Sequence, residues 1–321
     1  MKIIFLGTPE FAVASLDILI KNNFQIAAVV TAPDKQAGRG KVLTPSEIKK
    51  YSIEKGLNIL QPENLKDPDF IKELSGYGAD LFIVVAFRML PEQVFMMPPL
   101  GTFNLHASLL PQYRGAAPVN RVIMNGEKKT GVTTFFLRRE IDTGKIIFRE
   151  EIHIDENETA GELHDKLMTL GAGLVLKTAN AIKTGSFPQM EQSQFIVANE
   201  ELKTAPKIFK ENCLIDWKKN TKEIYNHIRG LSPYPAACTN FLSSVSQPVA
   251  VKIFSSFSET CLHSEIPGTI VSDEKSFLKI ASGDGFVFLK EVQLAGKKKM
   301  EIAEFLRGFK IGLYKSADYP T

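Results

Sequence analysis

Short β-branched runs alternate with helical periodicity through the first half of the chain. Residues 2–6 form an apolar run, 11–21 carry a helical stripe, 26–30 form a second run, and 80–86 a third after another helical stretch. That rhythm predicts βαβ units and a parallel sheet. The stretch 80–86 is almost continuously apolar, as suits a strand covered on both faces. Further strands are expected over 101–106, 131–137 and 145–152. Residues 159–183 read as one long helix opened by Thr159 with Glu162 three positions on, a capping-box pattern. Periodicity then fades into a polar stretch holding Pro188 and Pro206, where a linker is expected. Beyond it, a helix over 221–229 precedes short strands at 236–242, 249–254, 268–271, 278–281 and 286–292. Strands at such spacing predict a small OB-like barrel.

The expected architecture is therefore α/β: a Rossmann-like N-terminal domain with a mostly parallel sheet over residues 1–187, a linker over 188–207, and a smaller OB-like β-barrel domain over 208–321. A length of 321 residues accommodates two cores. With 44% hydrophobic and 23% charged residues, the composition is that of an ordinary globular protein and excludes collagen, coiled coil and disorder. Residues 1–7 are too short an apolar run for a signal peptide, and no run reaches membrane-spanning length, so a soluble cytoplasmic protein is expected. Three widely spaced cysteines, Cys213, Cys238 and Cys261, fit neither a disulfide framework nor a zinc site. Net charge is +3; 15 basic against 12 acidic residues follow Ile208, leaving 24 against 24 before it.

Candidate chemistry centres on Asn104-Leu105-His106. Side chains two apart on a strand share a face, so Asn104 and His106 stand together while Leu105 turns to the core. They fall at a strand's carboxyl end, where open α/β sheets bind ligands. An amide beside an imidazole can polarise a carbonyl and hold its oxygen as charge develops. Spacing alone favours a structural Asn/His pair at a strand end. Asp142-Thr143-Gly144 lies in a turn between two expected strands, where a carboxylate could orient the histidine or order a water; Asp and Gly are also common turn formers. The first strand ends on Gly7-Thr8-Pro9-Glu10, a single glycine where a dinucleotide site wants three, and Pro9 lacks an N–H, which argues against NAD. The loop 33–41 is flexible and basic, suited to phosphate or to a solvated surface. Lys297 and Lys298, in a lysine run, are either a solvated turn or part of an electrostatic track.

Taken together, residues 4–12, 33–41, 103–111 with 113–118, 142–144, 215–217, 229–236 and 295–300 resemble the methionyl-tRNA formyltransferases, within the folate-dependent formyltransferase family, over essentially the full length. The resemblance implies transfer of the formyl group of 10-formyltetrahydrofolate to the α-amine of initiator methionyl-tRNA, with a sugar nucleotide or glycinamide ribonucleotide as the alternative acceptor. It places Asn104, His106 and Asp142 in the catalytic positions. Ser108, Leu109, Leu110 and Pro111 fall on the folate-binding loop, and Phe87, Arg88, Met89 and Leu90 line the pteridine pocket. Arg39 and Lys41, with Lys297 and Lys298, are assigned to tRNA. No metal is implied, and a monomer is expected. One departure is visible: Phe87-Arg88-Met89-Leu90-Pro91 is shorter than the family's aromatic-glycine segment and carries an arginine.

Overall fold

The computed structural model describes residues 1–37 and 42–318. Its chain divides into two compact units, one comprising Met1–Gly115, Thr130–Ile152 and His164–Thr204, the other Ala116–Lys129, His153–Leu163 and the chain from Ala205 on.

In chain order the elements are β1 (Lys2–Gly7), α1 (Glu10–Lys21), β2 (Gln25–Val30), β3 (Lys35–Ala37), β4 (Val42–Thr44), α2 (Glu47–Glu54), β5 (Ile59–Leu60), α3 (Pro68–Gly76), β6 (Leu81–Val85), α4 (Glu92–Phe95) and β7 (Thr102–His106). There follow α5 (Pro118–Met124), β8 (Lys129–Phe136), β9 (Ile146–His153) and α6 (Ala160–Thr184). The first unit's sheet runs β5-β2-β1-β6-β7-β8-β9. Its first five strands are parallel, and β8 turns antiparallel to β7. The chain steps outward from β1 to β2 and β5, then returns to place β6 on the other side of β1. The crevice above the carboxyl ends of β1 and β6 is therefore the topological switch point, the usual ligand position of such sheets.

Local chemistry accounts for these elements. All five residues of β6 are buried, as its unbroken apolar run requires. α1 buries Phe11, Ala12, Ser15, Leu16 and Leu19, a single helical stripe. At the start of α6 the expected capping box forms: Glu162 N–H donates to Thr159 Oγ1 and Thr159 N–H to Glu162 Oε2. Gly7 closes β1 because a Cβ there would lie 2.6 Å from Ala12 Cβ. Gly171 plays the same part on α6, where a Cβ would come 2.7 Å from Leu105. Leu105 thus faces the helix, and its strand neighbours Asn104 and His106 face away from it.

In the second unit come α7 (Thr221–Leu231), β10 (Ala237–Leu242), β11 (Val249–Thr260), β12 (Ile270–Ser272), β13 (Leu278–Ala281), β14 (Gly285–Leu294), β15 (Met300–Glu301), α8 (Ile302–Gly308) and β16 (Ser316–Asp318). The antiparallel path β12-β13-β14-β11-β10-β16 is brought round on itself by a bridge from Thr269 to Ser316. The result is a nearly closed barrel, as the strand spacing predicted. α7 opens on a capping box of Asn220 and Glu223 and buries Ile224, Ile228 and Leu231 in a core with Phe241, Val251, Ile253 and Leu289. β11 runs six residues past the expected end at 254 because bulges between Ile253 and Ser256 break the two-residue alternation without ending the pairing. Among the described residues no helix is long and apolar enough to cross a membrane.

Candidate functional site

β7 ends on His106, and the chain leaves it into a loop held from inside. Ser108 is fully buried; its hydroxyl donates to the Gln112 carbonyl at 2.6 Å. Thr133 on β8, also fully buried, donates its hydroxyl to the Ser108 carbonyl at 2.7 Å and accepts the Leu110 N–H at 3.1 Å. Leu110 and Pro111 are buried and Leu109 half-buried. One hydroxyl therefore satisfies two main-chain groups that would otherwise be stranded in the core.

His106 is 7% exposed. Its Nε2 lies 2.8 Å from the Tyr113 carbonyl. A carbonyl can only accept, so Nε2 carries the proton and Nδ1 is the nitrogen left for chemistry. Nδ1 faces Asp142 Oδ2 at 3.9 Å. The same Oδ2 accepts the Gly115 N–H at 3.0 Å. Asp142 sits at φ 54° and Tyr113 at φ 60°. Both lie in the left-handed region, which Asp tolerates and Tyr adopts rarely. Asn104 is half-buried two residues before His106 on the same strand face, and its side chain makes no hydrogen bond with any described residue. Of the expected trio, His106 and Asp142 thus meet across Nδ1, and Asn104 stands on the same strand face with its amide unspent.

The second expected loop leaves β6 next door. Ala86 at φ 48° turns the chain out of the strand. Phe87 is half-buried, Met89 is 71% exposed and Leu90 is buried. Arg88 donates to the carbonyls of Pro62 at 2.7 Å and Glu63 at 3.0 Å and stacks on the Phe87 ring at 5.3 Å. Burial pulls its pKa below the ordinary guanidinium value, and its buried Nε has no partner. Arg88 is therefore a strut between this loop and residues 62–63. Because β6 and β7 are adjacent and parallel, both loops emerge at the same edge of the sheet.

Not every expected residue lies in this region. Lys297 and Lys298 are exposed in the turn between β14 and β15 of the second unit, beside Lys299, which pairs with Glu291 at 2.9 Å. Arg39 and Lys41 lie outside the described residues. Among the described residues no group of three or more His, Cys, Asp or Glu could hold a metal ion. Composition and periodicity drew no attention to Thr133 or to Gln192. Thr133 is one threonine among several in a strand, and Gln192 falls in the polar stretch where periodicity fades.

A mostly parallel α/β sheet with an amide, an imidazole and a carboxylate gathered at its carboxyl edge defines a site that can bind a carbonyl and move protons around it. The chain belongs to the formyl transferase family: the model described as "Formyl transferase" matches residues 1–178 and that described as "Formyl transferase, C-terminal domain" matches 207–310. It is 53% identical over 309 residues to a methionyl-tRNA formyltransferase of Azobacteroides pseudotrichonymphae, covering 96% of this chain and 95% of the relative. With the Flavobacterium johnsoniae methionyl-tRNA formyltransferase it is 51% identical over 308 residues, 96% of each chain. A solved structure of an N-formyltransferase from Helicobacter canadensis, in complex with folinic acid and dTDP-3-aminofucose, superposes with a TM-score of 0.63 at 22% identity, covering 94% of this chain and all of that one. At that identity the likeness speaks for the fold.

Proposed function

We propose that this protein takes the formyl group from 10-formyltetrahydrofolate and places it on the α-amine of initiator methionyl-tRNA. The observation that carries the reading is identity of 50% or more, over 96% of the chain, with relatives named for that reaction. A free α-amine has a pKa of about 7.7 to 8.0 and is partly neutral near pH 7, so no strong base is needed to make the nucleophile. It attacks the formyl carbon, and the carbonyl electrons move onto oxygen. Asn104 donates its amide N–H to that oxyanion. His106, protonated on Nδ1, supplies a second donor and positive charge, while Asp142 opposes the imidazolium. At 3.9 Å Nδ1 and Oδ2 stand beyond direct hydrogen-bond distance, so in this reading a water beside the pair serves as the relay between them. The ammonium proton passes through that water, the bond from carbon to folate N10 breaks, and N10 takes a proton as it leaves.

In this reading Phe87, Met89 and Leu109 offer surface to the folate. Arg88, Leu90, Ser108, Leu110 and Pro111 shape the two loops from within. Arg39 and Lys41, with Lys297 and Lys298 of the second unit, are assigned to tRNA phosphates, an assignment that salt dependence tests directly. The chain is expected to act as a monomer, in the cytoplasm, without a metal.

The deciding experiment offers 10-formyltetrahydrofolate with charged initiator tRNA, free methionine, glycinamide ribonucleotide or a dTDP-amino sugar, each alone. Formylation of the charged tRNA only is expected. Formylation of the amino sugar or the ribonucleotide in preference to tRNA would overturn the acceptor assignment.

A further inference from the structure

The stretch where periodicity fades does not lie idle. Met190 pairs with Ile146 of β9, and residues 192–195 form a 3-10 turn. This brings Gln192, 4% exposed, beneath the Asp142 turn. Its Nε2 donates to the Asp142 carbonyl at 2.8 Å and to the Gly144 carbonyl at 2.9 Å. Its Oε1 accepts from Arg114 Nε at 3.1 Å and Nη2 at 2.6 Å. Two donors and two lone pairs are all that a carboxamide has, and here each is used. Arg114 stands between the two main-chain groups that reach the catalytic pair: the Tyr113 carbonyl on His106 Nε2, and the Gly115 N–H on Asp142 Oδ2.

The geometry points to Gln192, with Arg114, as a positioning residue for the transfer reaction: its carboxamide locks the Asp142 turn to the 113–115 loop and so sets where the carboxylate stands relative to His106 Nδ1. The inference rests on the proposed formyl transfer for its kinetic consequence and on the bonds above for its structural one. A left-handed Asp142 holds its conformation only if the surroundings over-determine it, and the two bonds from Gln192 to the Asp142 and Gly144 carbonyls tie that turn down, while Tyr113 is held by its own N–H on the Lys203 carbonyl at 2.7 Å. Displacement of a catalytic group by about 1 Å costs up to about a hundredfold in rate.

Gln192→Glu separates shape from bonding. It keeps the side chain's size and its acceptor toward Arg114, but sets a carboxylate oxygen against the Asp142 and Gly144 carbonyls in place of an N–H. Arg114→Lys removes the two-pronged donor while keeping the charge. Each variant should lower kcat by about 10- to 100-fold with KM for folate and tRNA within about twofold of the parent. The His106 Nε2 nitrogen resonance should move in the folded variant. Arg138→Gln serves as the control: Arg138 pairs with Glu191, next to Gln192, at 3.0 Å without touching the Asp142 turn, so kcat and the resonance should stay put. Parental kcat and an unmoved His106 resonance in folded Gln192→Glu overturn the proposal. A parent chain that formylates no tRNA overturns the reading of function instead, and the His106 resonance then tests the brace by itself.

Discussion

Replacing Asp142 by Asn keeps the side chain's shape and removes its charge. The amide oxygen can still accept the Gly115 N–H now held at 3.0 Å, so the fold should lose only the difference between a charge-assisted and a neutral hydrogen bond, about 1 kcal/mol. Catalysis should lose far more. Asp142 Oδ2 stands 3.9 Å from His106 Nδ1, with both side chains largely shielded from water, at 14% and 8% exposure. Opposite unit charges at that separation attract by about 4 kcal/mol at the effective dielectric suited to protein sites. If that attraction acts in full on the imidazolium facing the oxyanion, its loss slows the step by about three decades. The measurement is single-turnover formylation of charged tRNA, with urea unfolding of the same preparation. A variant within about fivefold of the parent rate would refute the electrostatic role of Asp142. A variant that also loses several kcal/mol of stability would assign the residue to the fold instead.

Further expectations concern the scaffold, the acceptor and pH. Thr133→Val leaves the Ser108 carbonyl and the Leu110 N–H unpaired in the core; at about 1 to 3 kcal/mol for each buried group, urea unfolding should show a loss of about 2 to 6 kcal/mol, and a loss under 1 kcal/mol would contradict the packing described. Neutralising Arg39 and Lys41 should weaken tRNA use and flatten its dependence on salt by about one unit of slope per residue, with folate binding, read by titration, unchanged. His227, half-buried on α7 with an unpartnered Nε2, has its pKa driven down by burial to about 4. Its folded pKa lies below the unfolded value of about 6.5, so the unfolded chain binds the extra proton and stability falls as pH drops from about 6.5 to about 4, by on the order of 3 kcal/mol at the foot of that window. His227→Leu should remove that part of the slope in urea titrations, and an unchanged slope would count against the burial.

Much of the fold was legible because its signals are local. Alternation and helical stripes mark β1, α1, β2, β6 and α7, and the Thr159 and Glu162 pair marks the start of α6 several residues before any packing is considered. Elements whose pattern is interrupted were harder. The far half of β11 follows bulges that put Phe254 and Phe257 out of step, and three-residue strands such as β3, β4 and β16 are too short to carry a period. At the site, Asn104, His106 and Asp142 could be singled out from spacing at a strand end and from resemblance, because each sits in a short contiguous motif.

By itself, the sequence determined the class of fold and family membership and singled out Asn104, His106 and Asp142 as candidates, since these depend on periodicity and on motifs that lie within a few residues of one another. The tertiary structure decided the rest of the site. Which histidine nitrogen is free depends on a carbonyl seven residues away, at Tyr113. The strut of Arg88 ends on carbonyls 25 and 26 residues back. The brace at Gln192 reaches 50 residues to Asp142 and 78 to Arg114. A polar side chain in an aperiodic stretch carries no local sign of such partners, because its hydrogen bonds are set by which backbone the fold brings beside it.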